Sequence, residues 1–219
     1  MSFSIAEENY IKSIYHLQQQ NDTVTTNSLA SELKTRAASI TDMLKKLQRK
    51  HLIEYEKYHG FRLNASGKKI AINIIRRHRL WEYFLVIKLG FEWDKVHMIA
   101  EDLEHVSSTE LIERLDEFLN YPKTDPHGDP IPDTNGKITL IRQMSLADVP
   151  EKKLVLVSSV SNQSPEMLEM LKHYRIGIGT QLKISRRFDF DKAIEIKMFK
   201  QPASILSEQV AKNIFVYND

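Results

Sequence analysis

A chain of 219 residues can hold one large domain or two to three small ones, and 42% hydrophobic with 27% charged residues is the balance of an ordinary globular protein. It contains no cysteine, which excludes disulfides, zinc–thiolate sites and cysteine nucleophiles and fits a cytoplasmic location. No apolar run approaches the ~18–20 residues of a membrane span, and the N-terminus lacks a signal-peptide pattern, so no membrane partner is expected. The net charge of +2 conceals an asymmetry: residues 1–80 carry 14 Lys/Arg against 7 Asp/Glu, residues 81–136 carry 4 against 13, and residues 137–219 carry 13 against 9. A basic head beside an acidic middle is the distribution of DNA binding next to cation binding.

Ser4-x-x-Glu7 predicts a capping box opening a first helix, along which Ile11, Ile14, Tyr15 and Leu17 keep helical spacing. A short second helix follows Thr25 and Thr26. A third runs from after Arg36 to about His51, with Ile40, Met43, Leu44 and Leu47 forming one apolar stripe. Residues 52–63 alternate in a β-prone manner around His59 and Gly60, which predicts a hairpin. Three helices and a hairpin make a winged helix-turn-helix. Asn64 predicts the N-cap of a long helix ending near Gly90, followed by helices over about Asp94–Val106 and Ser108–Leu119. Residues 121–136 are too rich in Pro, Gly and Asp to be regular. Ile138–Leu140, Leu154–Val160, Gln181–Arg187, Ala193–Met198 and Ile214–Val216 read as strands, with one helix near Pro165–His173, and predict a small five-stranded barrel. The fold class is therefore mainly α with a small β domain.

With its stripe buried, the third helix would turn Ser39, Thr41, Asp42, Lys45, Lys46 and Arg49 away from the core. Short polar Ser39, Thr41 and Asp42 suit base edges, while Arg36, Lys45, Lys46 and Arg49 suit phosphates, with Arg62 reaching the backbone from the wing. So few contacts per chain favour a homodimer on a palindromic operator in double-stranded DNA.

The acidic middle carries His97, Glu101, Glu104 and His105, which fall within an arc of roughly 100° on a helix. His78 and Glu82, four apart, also share a helical face. Imidazole with carboxylate and no thiol is ligand chemistry for Mn(II), Fe(II) or Zn(II). Packing so many carboxylates near a helical core without a cation costs several kcal/mol. An enzyme is not expected: H-E-x-x-H is absent, and no nucleophile or oxyanion site is evident, so no small-molecule substrate is foreseen. The alternative reading is a winged-helix regulator of an organic ligand, with the acidic helices serving dimerisation alone.

Several stretches carry a family resemblance: Glu8-Asn9-Tyr10-Ile11, residues Ser39 to Leu47, Arg77-His78-Arg79-Leu80-Trp81-Glu82, Val96-His97, Glu104-His105-Val106, and Asp125-Pro126-His127-Gly128-Asp129-Pro130-Ile131-Pro132. The last is close to a signature. On these the chain resembles the diphtheria-toxin-repressor family of metal-dependent transcriptional repressors, in its three-domain form, over its whole length. The resemblance implies a winged helix-turn-helix DNA-binding domain at residues 1–71, a helical metal-binding and dimerisation domain at 72–140, and an SH3-like, FeoA-like domain at 150–219.

It also implies two metal sites. His78, Glu82 and His97 match an ancillary site that the iron-dependent members complete with a Glu and a Gln from the barrel, matched here by Gln163 and Glu166 with the residue types exchanged. Glu101, Glu104 and His105 match the primary site. Its N-terminal member, Met or Asp in the family, is Asn9 here, with neighbouring Glu8 as the substitute. Lys12 stands where two-domain manganese regulators carry a second acidic ligand, which argues against a binuclear arrangement. The iron-responsive type has Cys at the position of Glu101, whereas manganese regulators have Glu. The expected cofactor is therefore Mn(II) or Fe(II), with Mn(II) preferred, and Zn(II), Co(II) or Ni(II) able to bind in vitro.

Overall fold

The computed structural model describes residues 3–56 and 60–217; residues 57–59, which include His59 of the predicted hairpin turn, lie outside the described residues. The chain divides into two compact units. One comprises Met1–His78, Glu101–Glu113 and Pro132–Lys137, the other Arg79–Ala100, Arg114–Ile131 and Ile138–Asp219.

The first unit is a winged helix-turn-helix. α1 (Ile5–Gln18) opens on the predicted capping box, with Ser4 Oγ accepting from the Glu7 N–H and the Glu7 carboxylate accepting from the Ser4 N–H at 2.8 Å. Thr25 and Ser28 cap α2 (Thr26–Glu32) in the same reciprocal way. α3 (Ala37–Arg49) differs, because its N-cap residue Arg36 makes no side-chain cap bond. Its first-turn N–H groups are therefore open to an outside acceptor. Ile40, Leu44 and Leu47 of α3 are fully buried with Ile11, Ile14, Leu29, Phe61 and Leu63, and each such side chain contributes roughly 1.5–3 kcal/mol on leaving water.

The wing pairs β1 (Ile53–Glu56) with β2 (Gly60–Leu63), Ile53 opposite Leu63 and Glu56 opposite Gly60, and Val24 bridges to Phe61. Gly60 has φ +114°, and a Cβ there would stand 2.3 Å from the Val24 carbonyl oxygen. No L side chain fits that position. Asn64 accepts from the Gly67 N–H at 3.0 Å, as an N-cap should, and starts α4 (Ala65–Ile87).

α4, α5 (Val96–Val106) and α6 (Thr109–Phe118) are each divided between the two units. The second unit also holds a six-stranded antiparallel sheet in the order β3-β8-β4-β5-β6-β7, made of β3 (Gln143–Ser145), β4 (Leu154–Val160), β5 (Gln181–Arg187), β6 (Ile194–Met198), β7 (Ser204–Leu206) and β8 (Ile214–Tyr217). α7 (Pro165–Tyr174) and α8 (Glu208–Lys212) accompany it. Two expectations change here. Ile138–Leu140 is not a strand, and Leu140 is 88% exposed, so its apolar residues have no sheet to pack on. The sheet has six strands rather than five, because β3 and the three-residue β7 were too short to show an alternation.

Candidate metal centre

Within the first unit, α1, α4 and α5 bring together Glu8, Asn9, Lys12, Arg77, His78, Glu101, Glu104 and His105. On α1, Lys12 neighbours both Glu8 (i, i+4) and Asn9 (i, i+3), and on α5 Glu101 neighbours both Glu104 (i, i+3) and His105 (i, i+4). Glu104 is fully buried. Its Oε2 lies 2.6 Å from His78 Nδ1, and its Oε1 lies 2.6 Å from Lys12 Nζ and 3.4 Å from His105 Nε2. Burial pushes the Glu104 carboxyl up, but the hydrogen bond and charge of His78 and of Lys12 outweigh it and hold the group below the usual carboxylate range.

Glu8 accepts at 2.6 Å from His105 Nδ1 and at 2.9 Å from Arg77. A carboxylate at Nδ1 fixes that nitrogen as the donor and leaves Nε2 as a lone pair. That Nε2 is sealed from solvent and has no hydrogen-bond partner, and so is Asn9 Oδ1. A shielded imidazole lone pair facing a carboxylate oxygen, beside an unmatched amide oxygen, is a donor set that a divalent cation would satisfy. Glu101, at 40% side-chain exposure, stands 3.7 Å from Lys12 Nζ on the solvent side of this group.

The second unit contains another cluster. Glu82 on α4 is buried, with His97 Nδ1 at 3.3 Å from its Oε1 and His127 Nδ1 at 3.6 Å from its Oε2. Glu82, Asp125 and His127 present ligand atoms all within 4.8 Å of one another, and all three are buried. Asp125 Oδ1 accepts from the N–H groups of His127 (2.8 Å) and Asp129 (3.0 Å), which bends the loop back on itself. Gly128, φ +87°, passes so close to Ser158 that a Cβ would overlap its carbonyl oxygen. His127 stacks on Trp93, with ring centroids 5.6 Å apart, and its Nε2 lies 3.0 Å from the Trp93 carbonyl oxygen.

Burial drives the Asp125 carboxyl well above its usual range, and the charges of Asp129 and Glu82 push the same way against Arg79 and His127. For His127 burial acts downward, but Glu82 and Asp125 beside it win, and its pKa is raised. The cluster thus has more carboxylate than its neighbouring cations balance.

Of the residues expected at the ancillary site, Glu82 and His97 meet, while the His78 Nδ1 contact is with Glu104 in the first unit. Gln163 donates to Asp129 Oδ2 at 2.9 Å, and Glu166 is exposed in the first turn of α7. Sequence reasoning missed Asp125 and His127 as ligand candidates. They sit in a loop where no periodicity assigns a face, although they lie in the stretch that most resembled a signature.

The expected DNA face is exposed throughout: Arg36, Ser39, Thr41, Asp42, Lys45, Lys46, Arg49 and Arg62 all reach solvent. Lys45 lies 3.6 Å from Asp42, Lys46 reaches back to Glu7 at 3.4 Å, and Arg62 pairs with Glu54 and Glu56 across the wing.

Residues 2–61 match the family model of the iron dependent repressor N-terminal DNA binding domain, residues 64–133 that of the iron dependent repressor metal binding and dimerisation domain, and residues 144–218 that of the FeoA domain. The HTH-type transcriptional regulator MntR of Oceanobacillus iheyensis is 36% identical over 118 residues, 54% of this chain and 80% of that protein. The iron-dependent repressor IdeR of Mycobacterium leprae is 33% identical over 125 residues, 57% of this chain and 54% of that protein, so this match spans about half of its length. A solved structure described as a manganese-dependent transcriptional repressor in complex with manganese is 31% identical, with a TM-score of 0.85 over 96% of this chain and 99% of that one. Among the described residues no helix is long and apolar enough to cross a membrane. With a DNA-binding, a metal-binding and dimerisation, and a FeoA domain in that order, the chain belongs to the diphtheria-toxin-repressor family of metal-dependent transcriptional repressors, which are not enzymes.

Proposed function

We propose that this chain represses genes of metal homeostasis when divalent metal, Mn(II) ahead of Fe(II), binds it and favours a homodimer on a palindromic operator. Residues 1–71 would meet DNA, residues 72–140 would hold metal and the dimer contact, and residues 150–219 would form the third domain. The observation that carries the reading is the pair of shielded, unmatched donor atoms, Asn9 Oδ1 and His105 Nε2, beside the Glu104 carboxylate.

The primary ligands are Asn9, Glu101, Glu104 and His105. Glu8 is the orienting carboxylate rather than a ligand, since His105 and Arg77 already engage it. Glu82, Asp125 and His127, with His97 beside Glu82, make the second site. A bound cation would gather Asn9 of α1 with Glu101, Glu104 and His105 of α5, adding to the Glu8–His105 contact that already links the two helices. The chain's own part is to place Asn9 and Glu8 one residue apart on α1, so that the helix which carries the ligand also fixes the imidazole. α1 packs in the same core as α3, so ordering α1 biases the DNA-reading helix. By linkage, DNA and metal strengthen each other's binding by one factor. An all-oxygen and nitrogen donor set with carboxylate at 101 suits Mn(II) and Fe(II), and Zn(II) would also bind in vitro.

The test is retention of a duplex library, selected on the Mn(II)-loaded protein, during titration with Mn(II), Fe(II) and Zn(II). The reading expects retention to require metal. Full-affinity binding in the presence of chelator would sink it, and equal activation by Zn(II) at cellular concentrations would remove the manganese preference.

A further inference from the structure

The primary ligand cluster already holds a cation of its own. Lys12 stands three residues after Asn9 and four after Glu8, on the same face of α1. Its side chain is 13% exposed, and its ammonium sits 2.6 Å from Glu104 Oε1 and 3.7 Å from Glu101 Oε1. These are two of the carboxylates assigned above to the metal. Glu104 is fully buried, so its attraction to the ammonium is screened far less than that of a surface pair.

Ammonium and dication cannot share this seat. A divalent ion on Glu104 Oε1 would lie about 2.0–2.2 Å from that oxygen. An ammonium left 2.6 Å from the same atom would then face a double positive charge with no room for water between them. The exit for the amine is the solvent side, where Glu101 is partly exposed and the lysine stem is long enough to reach water.

We propose that Lys12 is a tethered competitor that occupies the primary metal seat and sets the metal concentration at which the site fills. Metal binding is then an exchange, dication in and ammonium out. Because the amine makes no distinction among incoming ions, Lys12 shifts the threshold for all of them by a common factor and leaves their order untouched. It also replaces the missing cation in the metal-free protein: without Lys12 or metal, buried Glu104 would lose the ammonium at 2.6 Å and rest on its contact with His78.

This inference rests on the primary site proposed above, and the experiment separates the two. Full-length wild-type, Lys12→Met and Lys12→Arg proteins are titrated calorimetrically with Mn(II) and with Zn(II), and their metal-free melting temperatures are compared. Lys12→Met is expected to bind both ions about tenfold more tightly, by the same factor, and to melt lower without metal. Lys12→Arg keeps a competing cation and is expected to stay within about threefold of wild type. A second measurement needs no variant: acetylation of wild-type lysines by an amine-reactive reagent, read residue by residue by mass spectrometry. Mn(II) is expected to speed acetylation of Lys12 about tenfold relative to the other lysines. Unchanged or weakened metal binding in Lys12→Met overturns the proposal, as does protection of Lys12 on adding Mn(II). If Mn(II) binds the primary cluster and Lys12 does not respond, only this inference fails. If wild type binds no metal there, the functional reading falls with it.

Discussion

Glu104 in the first unit and Asp125 in the second are both carboxylates sealed from water among imidazoles, yet their surroundings drive them in opposite directions. Around Glu104, the Lys12 ammonium and His78 overcome burial and hold the carboxyl below its usual range. Around Asp125, burial is reinforced by Asp129 and Glu82, and Arg79 with His127 does not offset it. The Glu104 charge is met before any metal arrives, although Asn9 Oδ1 and His105 Nε2 stay unmatched; the Asp125 cluster is short of positive charge. A cation entering the second relieves repulsion, whereas one entering the first must displace an amine. The same ligand types can thus give a tight site and a thresholded one, and the second site should fill first.

The hardest blow to this contrast is His105→Ala, which removes a proposed ligand from the first cluster. Metal-dependent retention of DNA should fall by more than about 100-fold, while one tight metal equivalent survives in calorimetry. Retention that still responds fully to Mn(II) would dismiss the first cluster as the switch. His127→Ala does the converse: the tighter of two metal-binding steps should vanish, and DNA retention should weaken by roughly tenfold. Loss of the weaker step instead would reverse the order of filling.

Melting of metal-free variants sharpens the comparison through its sign. The depressed Glu104 group contributes stability that is complete above its ordinary value of 4.5 and is lost as pH falls through its folded value. Glu104→Gln should therefore lower the melting temperature at pH 7, by roughly 5 °C or more, because Lys12 loses its buried counter-charge. The raised Asp125 group acts the other way: the folded chain favours its protonated form, so stability present below 3.8 is lost as pH rises through the folded value. Asp125→Asn keeps the Oδ1 acceptor and removes the charge, and should raise the melting temperature by roughly 2–4 °C at pH 8 with little change at pH 3.5. Shifts of the same sign in both variants would contradict the electrostatic contrast.

The smallest expected effect lies outside both clusters. Arg49→Ala on exposed α3 should reduce the slope of log affinity for DNA against log salt by about one and leave metal binding unchanged. A changed metal isotherm would mean that α3 and the metal site are coupled more directly than packing through α1 provides.

How much of this was legible in sequence depended on whether the signal was local. The capping box at Ser4, the Ile40–Leu47 stripe and the Asn64 cap are local signals, and the helices they predict are present; the second capping box, Thr25 with Ser28, emerged only in the structure. The three-residue β7 and five-residue α8 escaped notice because neither is long enough to display a period. At the candidate site, helical spacing put Glu101, Glu104 and His105 on one face, as α5 does. The same reasoning had no means of seeing Lys12 against Glu104, 92 residues apart, or His127 against Glu82, whose loop is folded by Asp125 accepting from two backbone N–H groups. Those pairings arise from tertiary packing, and spacing carries no trace of them.

Glu101 has a consequence for chemistry under stress. It is the most exposed acidic member of its cluster, at 40% of its side chain, and it is the position where a thiol would be the first group met by peroxide. A carboxylate has no sulfenic or sulfinic forms to pass through, and no other residue of the chain is a cysteine. Oxidants that disable a sensor by oxidising a thiolate ligand therefore find no such ligand here, and with Mn(II) bound the metal response of this chain should not depend on a thiol reductant.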